Sequence, residues 1–143
     1  MKVLIACGGT GGHIFPGLSL ARELQEGKID VLLVGTDHPL EVKLFASFGI
    51  PYRLMPVAKL SASPVKFIIF VFRLTSASLR SIKLLFEYKP DAVVGFWGYA
   101  SYPICKYAAL TGKPLFLHEQ NCAAGLANKL LALFAKRVAV SFR

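Results

Sequence analysis

The chain has 143 residues, enough for one domain with a real core but short for an enzyme that must enclose two large substrates. Hydrophobic residues make up 55% of it and the mean hydropathy is +0.53, which excludes a disordered chain. The net charge of +9 is uneven: residues 1–42 hold three Lys/Arg against five Asp/Glu, and residues 43–143 hold fourteen against three. Such a basic bulk suits an anionic partner: nucleic acid, acidic lipid headgroups or a phosphorylated substrate.

Cys7, Cys105 and Cys122 include no C-x-x-C pair, so neither a disulfide framework nor a zinc knuckle is indicated, and a reducing cytoplasm is the simplest setting. The apolar start is too short for a signal peptide and reads as a strand. The densest apolar run, Phe67–Phe72, stops at Arg73, far short of the roughly 20 residues that span a bilayer.

In chain order, strands are expected at Lys2–Cys7, Asp30–Val34, Tyr52–Pro56, Ala92–Phe96, Pro114–His118 and Arg137–Ser141. Helices are expected near Ile14–Glu26, Pro39–Phe48, Pro64–Tyr88, Tyr102–Thr111 and Ala124–Phe134. Gly27, Gly49, Gly112 and Lys89-Pro90 fall where elements should stop. Strands alternating with helices imply an α/β fold: a Rossmann-like, doubly wound parallel sheet with right-handed crossovers. The sequence stops just after a strand with no closing helix, as expected of a part of something longer.

In such a sheet ligands gather beyond the carboxyl ends of the strands. Three loops there are chemically unusual: Gly8–His13 after the first strand, Gly95–Ser101 after the fourth and His118–Asn121 after the fifth. The first has four glycines around Thr10, so its backbone can turn tightly and offer N–H groups to an anion at a helix start, although a βα turn without a ligand has the same look. It is not a Walker loop, and as a dinucleotide fingerprint it fails at Ile14. His13 opens a helix, where the dipole favours the neutral imidazole and suits a general base; the bland alternative is a surface or capping histidine.

The third loop packs a carboxylate, two amides and an imidazole into four residues, which fits recognition of a hydroxylated ligand, with Asn121 also able to cap the next helix. In the middle loop Ser101 can cap the helix that follows, while Trp97 and Tyr99 either stack on a sugar or pack on a neighbour.

On the 64–88 helix Lys66, Arg73 and Arg80 recur every seven residues and form one stripe. Ile68, Val71, Leu79, Ile82 and Phe86 are expected to form its core face, and Ile69 and Phe70 to face outward beside the cations. Apolar groups next to a cationic stripe describe contact with an anionic membrane surface; cover by a partner domain or second subunit is the competitor. The stripe lacks polar base-reading residues, so nucleic acid is not expected as a partner.

Three segments, GGTGGHIFP at Gly8–Pro16, GFWGYASYP at Gly95–Pro103 and HEQNCAAGLANK at His118–Lys129, resemble the MurG family of bacterial transferases, and the resemblance covers the whole chain. It implies one half of a two-domain GT-B glycosyltransferase, the N-terminal domain, with a C-terminal donor-binding domain missing. It further implies UDP-N-acetylglucosamine as donor, lipid I (a polyprenyl-diphosphate-linked MurNAc-pentapeptide) as acceptor, and inversion at the anomeric carbon to give a β-1,4 bond. No cofactor or metal is implied. By the same carry-over His13 is the base, the glycine loop receives the acceptor diphosphate, and Thr10, Gly11, Gly12 and Asn121 contact the donor. Glu119, Gln120, Tyr99 and Ser101 are further candidates for sugar or acceptor contacts. The expected location is peripheral, on the cytoplasmic face of the inner membrane. Trp97 departs from the family, which usually has glycine there. Two rival expectations are a non-catalytic membrane-anchoring subunit of a split glycosyltransferase and a dinucleotide-binding oxidoreductase domain using Gly9–Gly12 with Asp37.

Overall fold

A computed structural model describes residues 1–9, 11–56, 63–96, 101–121 and 126–141. Six strands, β1 (Lys2–Cys7), β2 (Asp30–Thr36), β3 (Tyr52–Met55), β4 (Ala92–Phe96), β5 (Leu115–Glu119) and β6 (Arg137–Val140), form one parallel sheet in the order β3-β2-β1-β4-β5-β6. Five helices connect them: α1 (Gly11–Glu26), α2 (Pro39–Phe48), α3 (Pro64–Tyr88), α4 (Ser101–Leu110) and α5 (Leu126–Ala132). This is the doubly wound arrangement, and its strand order reverses between β1 and β4.

Both faces of the sheet are covered, which is why the strands read as continuous apolar runs. Alternation along β1 divides the core: Val3, Ile5 and Cys7 pack with Ile14, Leu18, Ala21 and Phe45 from α1 and α2. Leu4 and Ala6 face the other way, onto Leu84, Leu85, Ile104, Cys105 and Ala108 of α3 and α4. Two glycines let helices approach the sheet closely. A Cβ on Gly17 would sit 2.7 Å from Cys7 Cβ, and one on Gly95 2.6 Å from Cys105 Sγ. The tight seat of α1 on β1 fixes where its N-terminus emerges at the carboxyl edge.

Several boundaries differ from the pattern-based reading. Helix α1 starts at Gly11 rather than near Ile14, so His13 lies inside its first turn. Ser101 is the first residue of α4 instead of a cap ahead of it. Asn121 is the last described residue before α5, and the segment that joins them, residues 122–125, lies outside the described residues. Gly49 and Gly112 take the left-handed conformation expected of helix stops, but after α1 that role falls to Lys28 at φ 59°.

The largest correction concerns α3. Its buried residues are Ala77, Ser81, Leu84 and Leu85, all in the C-terminal half. Ile68, Val71, Leu79 and Phe86 are exposed and Ile82 is only half-buried, so they are not the core face. The reason is geometric. A 25-residue helix is about 37 Å long, whereas a five-residue strand such as β4 spans about 17 Å. The sheet can cover one end of α3, and the apolar pattern does not reveal which side that end will bury.

Candidate functional site

The five buried polar or charged side chains among the described residues are His13, Glu41, Ser81, Ser101 and Glu119. Ser81 is satisfied within its own helix, donating to the Ala77 carbonyl at 2.7 Å. The other four stand at the starts of α1, α2 and α4 and at the end of β5, all on the carboxyl edge of the sheet. Burying polar groups is costly unless they are bonded, so their concentration at one edge marks that edge as special.

The switch point lies there too, between the ends of β1 and β4. Gly9 has φ 100°, a conformation that glycine adopts without penalty and other residues rarely reach, and α1 begins two residues later at Gly11. The first-turn N–H groups of α1, including those of Gly11 and Gly12, have no helical acceptor and form the positive end of the helix dipole.

His13 is 5% exposed. Burial lowers its pKa below the ordinary imidazole value, and the charge of Glu119 partly restores it. Two facts follow: the ring favours its neutral form, able to take a proton, and Glu119 lies within electrostatic reach of it. Strands β1 and β5 are separated by β4 alone, about 10 Å for two inter-strand spacings. The glycine turn and the β5 corner therefore open onto a common region, as the sequence requires if they are to grip one ligand.

The β5 corner is internally ordered. Oε1 of Glu119 accepts the Asn121 backbone N–H at 3.0 Å and its side-chain amide at 2.9 Å. His118 lies on Phe96 with ring centroids 5.1 Å apart, its Nδ1 is 3.2 Å from Gln120 Oε1, and its Nε2 is 3.3 Å from Ser141 Oγ. That leaves the buried Nε2 of Gln120 with no hydrogen-bond partner among the described residues. An orphaned buried donor is rare in folded proteins, and one at this edge is suited to a ligand oxygen.

Among the sequence candidates, His13, Gly11, Gly12, Ser101, Glu119, Gln120 and Asn121 thus share one edge. Thr10, Tyr99 and Trp97 lie outside the described residues. Asp37, the ribose partner required by a dinucleotide reading, is exposed on the loop before α2.

Glu41 carried no sequence signal of importance, because an acidic residue in a first helical turn is ordinary dipole complementarity. Only its burial under the glycine turn sets it apart.

On α3, Lys66, Arg73 and Arg80 are exposed, Ile69 is exposed, and Phe70 is half-buried with its ring 6.4 Å from that of Phe67. The outermost apolar residues are others: Val65, Ile68, Phe72, Leu79 and Phe86, with Phe72 76% exposed. Val65, Phe72, Leu79 and Phe86 recur every seven residues, so they form a stripe along the whole helix, roughly opposite its buried residues. No helix among the described residues is long and apolar enough to cross a membrane.

Comparison with known proteins identifies the family and the fold. The chain is 41% identical over 142 residues to the UDP-N-acetylglucosamine–N-acetylmuramyl-(pentapeptide) pyrophosphoryl-undecaprenol N-acetylglucosamine transferase of Haemophilus influenzae, covering 99% of this chain and 40% of that protein. It is equally similar, 41% over 141 residues, to the transferase of the same description from Burkholderia ambifaria, with 98% and 38% covered. The chain thus spans about 40% of the length of these curated relatives. The crystal structure of Acinetobacter baumannii MurG superposes with a TM-score of 0.87 at 32% identity, covering 99% of this chain and 42% of that one. A UDP-GlcNAc 2-epimerase from Neisseria meningitidis, at 16% identity and a TM-score of 0.71, shares the fold. Residues 3–140 match the glycosyltransferase family 28 N-terminal domain, and the chain belongs to that family.

Proposed function

We propose that this chain is the acceptor-side half of an inverting glycosyltransferase that moves N-acetylglucosamine from UDP-N-acetylglucosamine to lipid I, forming a β-1,4 bond. The observation that carries the reading is the burial of His13 at the mouth of the glycine turn, which lowers its pKa, with the Glu119 charge acting in the opposite direction. A sugar hydroxyl is a poor nucleophile, and a positioned base that takes its proton as it attacks lowers the barrier. The imidazole accepts that proton, the new bond forms at the anomeric carbon, and the bond to UDP breaks on the opposite face.

The N–H groups opening α1 would hold the acceptor diphosphate. Gln120 Nε2 and the Glu119–Asn121 corner would hold sugar hydroxyls, and Ser101 contributes from the start of α4. Donor contacts beyond Gly11, Gly12 and Asn121 would come from a second domain, the part of the relatives that this chain does not span.

The apolar stripe of α3 with Lys66, Arg73 and Arg80 beside it supports peripheral attachment to an anionic membrane, with acyl chains taking the former and headgroups the latter. The cytoplasmic face of the inner membrane follows from where a UDP-sugar and a lipid-linked acceptor meet.

The test is a transfer assay with UDP-N-acetylglucosamine and a lipid I analogue. The full-length protein should yield the β-1,4 disaccharide, and residues 1–143 alone should yield almost none. A full-length protein that binds neither substrate would sink the reading.

A further inference from the structure

A carboxylate lies beneath the glycine turn. Glu41, in the first turn of α2, is 1% exposed. Its Oε1 accepts the Gly9 N–H at 2.7 Å and its Oε2 accepts the Thr36 N–H at 2.6 Å. One side chain thus ties the turn after β1 to the end of β2, across the neighbouring carboxyl ends of two paired strands.

The surroundings are shaped to admit it. A Cβ on Gly35 would lie 2.9 Å from Glu41 Oε2 and would collide with the Phe45 ring. The Cys7 thiol, at the end of β1, is pushed up to about 12 by burial and, secondarily, by the Glu41 charge. Charge-assisted bonds to backbone N–H groups are short and strong, and they are what makes a buried carboxylate tolerable.

The bond to Gly9 also decides which way the turn faces. With φ at 100° Gly9 points its N–H inward to Glu41, so this group is not available to a ligand. Among the described residues, the donors at the opening of α1, in the same turn of helix as His13, remain without a helical acceptor.

We propose that Glu41 is a positioning residue for the transfer reaction: its carboxylate takes the inner side of the glycine turn and so fixes the first turn of α1, with His13, against the bound substrate. The proposal rests on the transferase reading and deepens it. Glu41 touches no substrate; it acts through Gly9. A displacement of a base by about 1 Å can cost up to 100-fold in rate.

The experiment compares wild-type full-length protein with Glu41→Leu, which nearly keeps the volume but removes both acceptor oxygens and so breaks the bonds to Gly9 and Thr36. In ¹⁵N-glycine-labelled protein the Gly9 amide proton should lose its downfield shift, and the Gly11 and Gly12 resonances should move with it. Turnover per folded molecule should fall about 10- to 100-fold. A purely structural role would lower the melting temperature and leave turnover per folded molecule intact. Where the variant is partly unfolded, turnover is normalised to the folded fraction measured by circular dichroism at reduced temperature. A wild-type value there, or unmoved Gly11 and Gly12 resonances, overturns the proposal. If the wild-type protein itself transfers no sugar, the transferase reading fails, and the resonances alone still decide whether Glu41 holds the turn.

Discussion

Helices α1 and α3 are both rich in apolar residues, yet they meet opposite fates. Helix α1 lies across β1, seated close enough that Gly17 leaves no room for a Cβ against Cys7, and it buries Ile14, Leu18 and Ala21 together with His13. Helix α3 has the more apolar start, with Val65, Phe67, Ile68, Ile69, Val71 and Phe72 within its first nine residues, and exposes every one of them. Apolar content therefore does not locate the core. What locates it is the reach of the sheet, and an apolar stretch beyond that reach is surface left for something else to cover.

Three experiments sharpen the contrast between a helix that serves the cleft and a helix that serves a surface. The largest effect belongs to α1. In the full-length protein, His13→Ala should lower turnover by about 100-fold or more while leaving the thermal transition cooperative. Wild-type turnover would clear His13 of the base role and reduce α1 to scaffolding.

On α3 the expectation reverses, with binding lost and chemistry spared. Ile68→Ser combined with Phe72→Ser should weaken partition onto vesicles containing anionic phospholipid by about 10- to 100-fold, since each side chain buries roughly 1.5–3 kcal/mol of apolar transfer energy when fully withdrawn from water. Turnover on a short-chain, water-soluble acceptor should stay near wild type. The milder pair Ile69→Ser and Phe70→Ser should do less, because Phe70 is already half-buried. Undiminished vesicle binding by the first pair would point to cover by a protein partner.

The smallest effect lies in the pH profile. Burial holds the His13 pKa below its ordinary 6.5 and the Glu119 charge pulls it back up. The acid limb of kcat/KM should therefore lie below 6.5, and Glu119→Gln, by removing the raising charge, should move it to still lower pH. A limb that stays put would show that another group titrates. The sign carries over to stability: the unfolded imidazole binds a proton more readily than the folded one, so His13 costs stability as pH falls through the unfolded value.

Much was legible from residues alone. Six strands and five helices in alternation, the parallel doubly wound sheet, and the bounds of α2 and α3 follow from apolar runs, helical periodicity and left-handed stops such as Gly49. The glycine turn and the His118–Asn121 corner stood out in the sequence because their residue types, a glycine cluster and paired amides with a carboxylate, are unusual at strand ends, and the structure places both on the carboxyl edge. These are local features, encoded within a few residues.

Tertiary structure decided the rest, because burial is a relation between distant segments. The start of α1 at Gly11 drew His13 into the protein, and the order β1-β4-β5 brought Glu119 within reach of it. Glu41 became notable only when β2 lay beside β1 and the glycine turn came to rest on its carboxylate. The outward stripe of α3 appeared only once the sheet had set how far cover extends: helical period alone gives a face, and the neighbour it meets determines whether that face is core or surface.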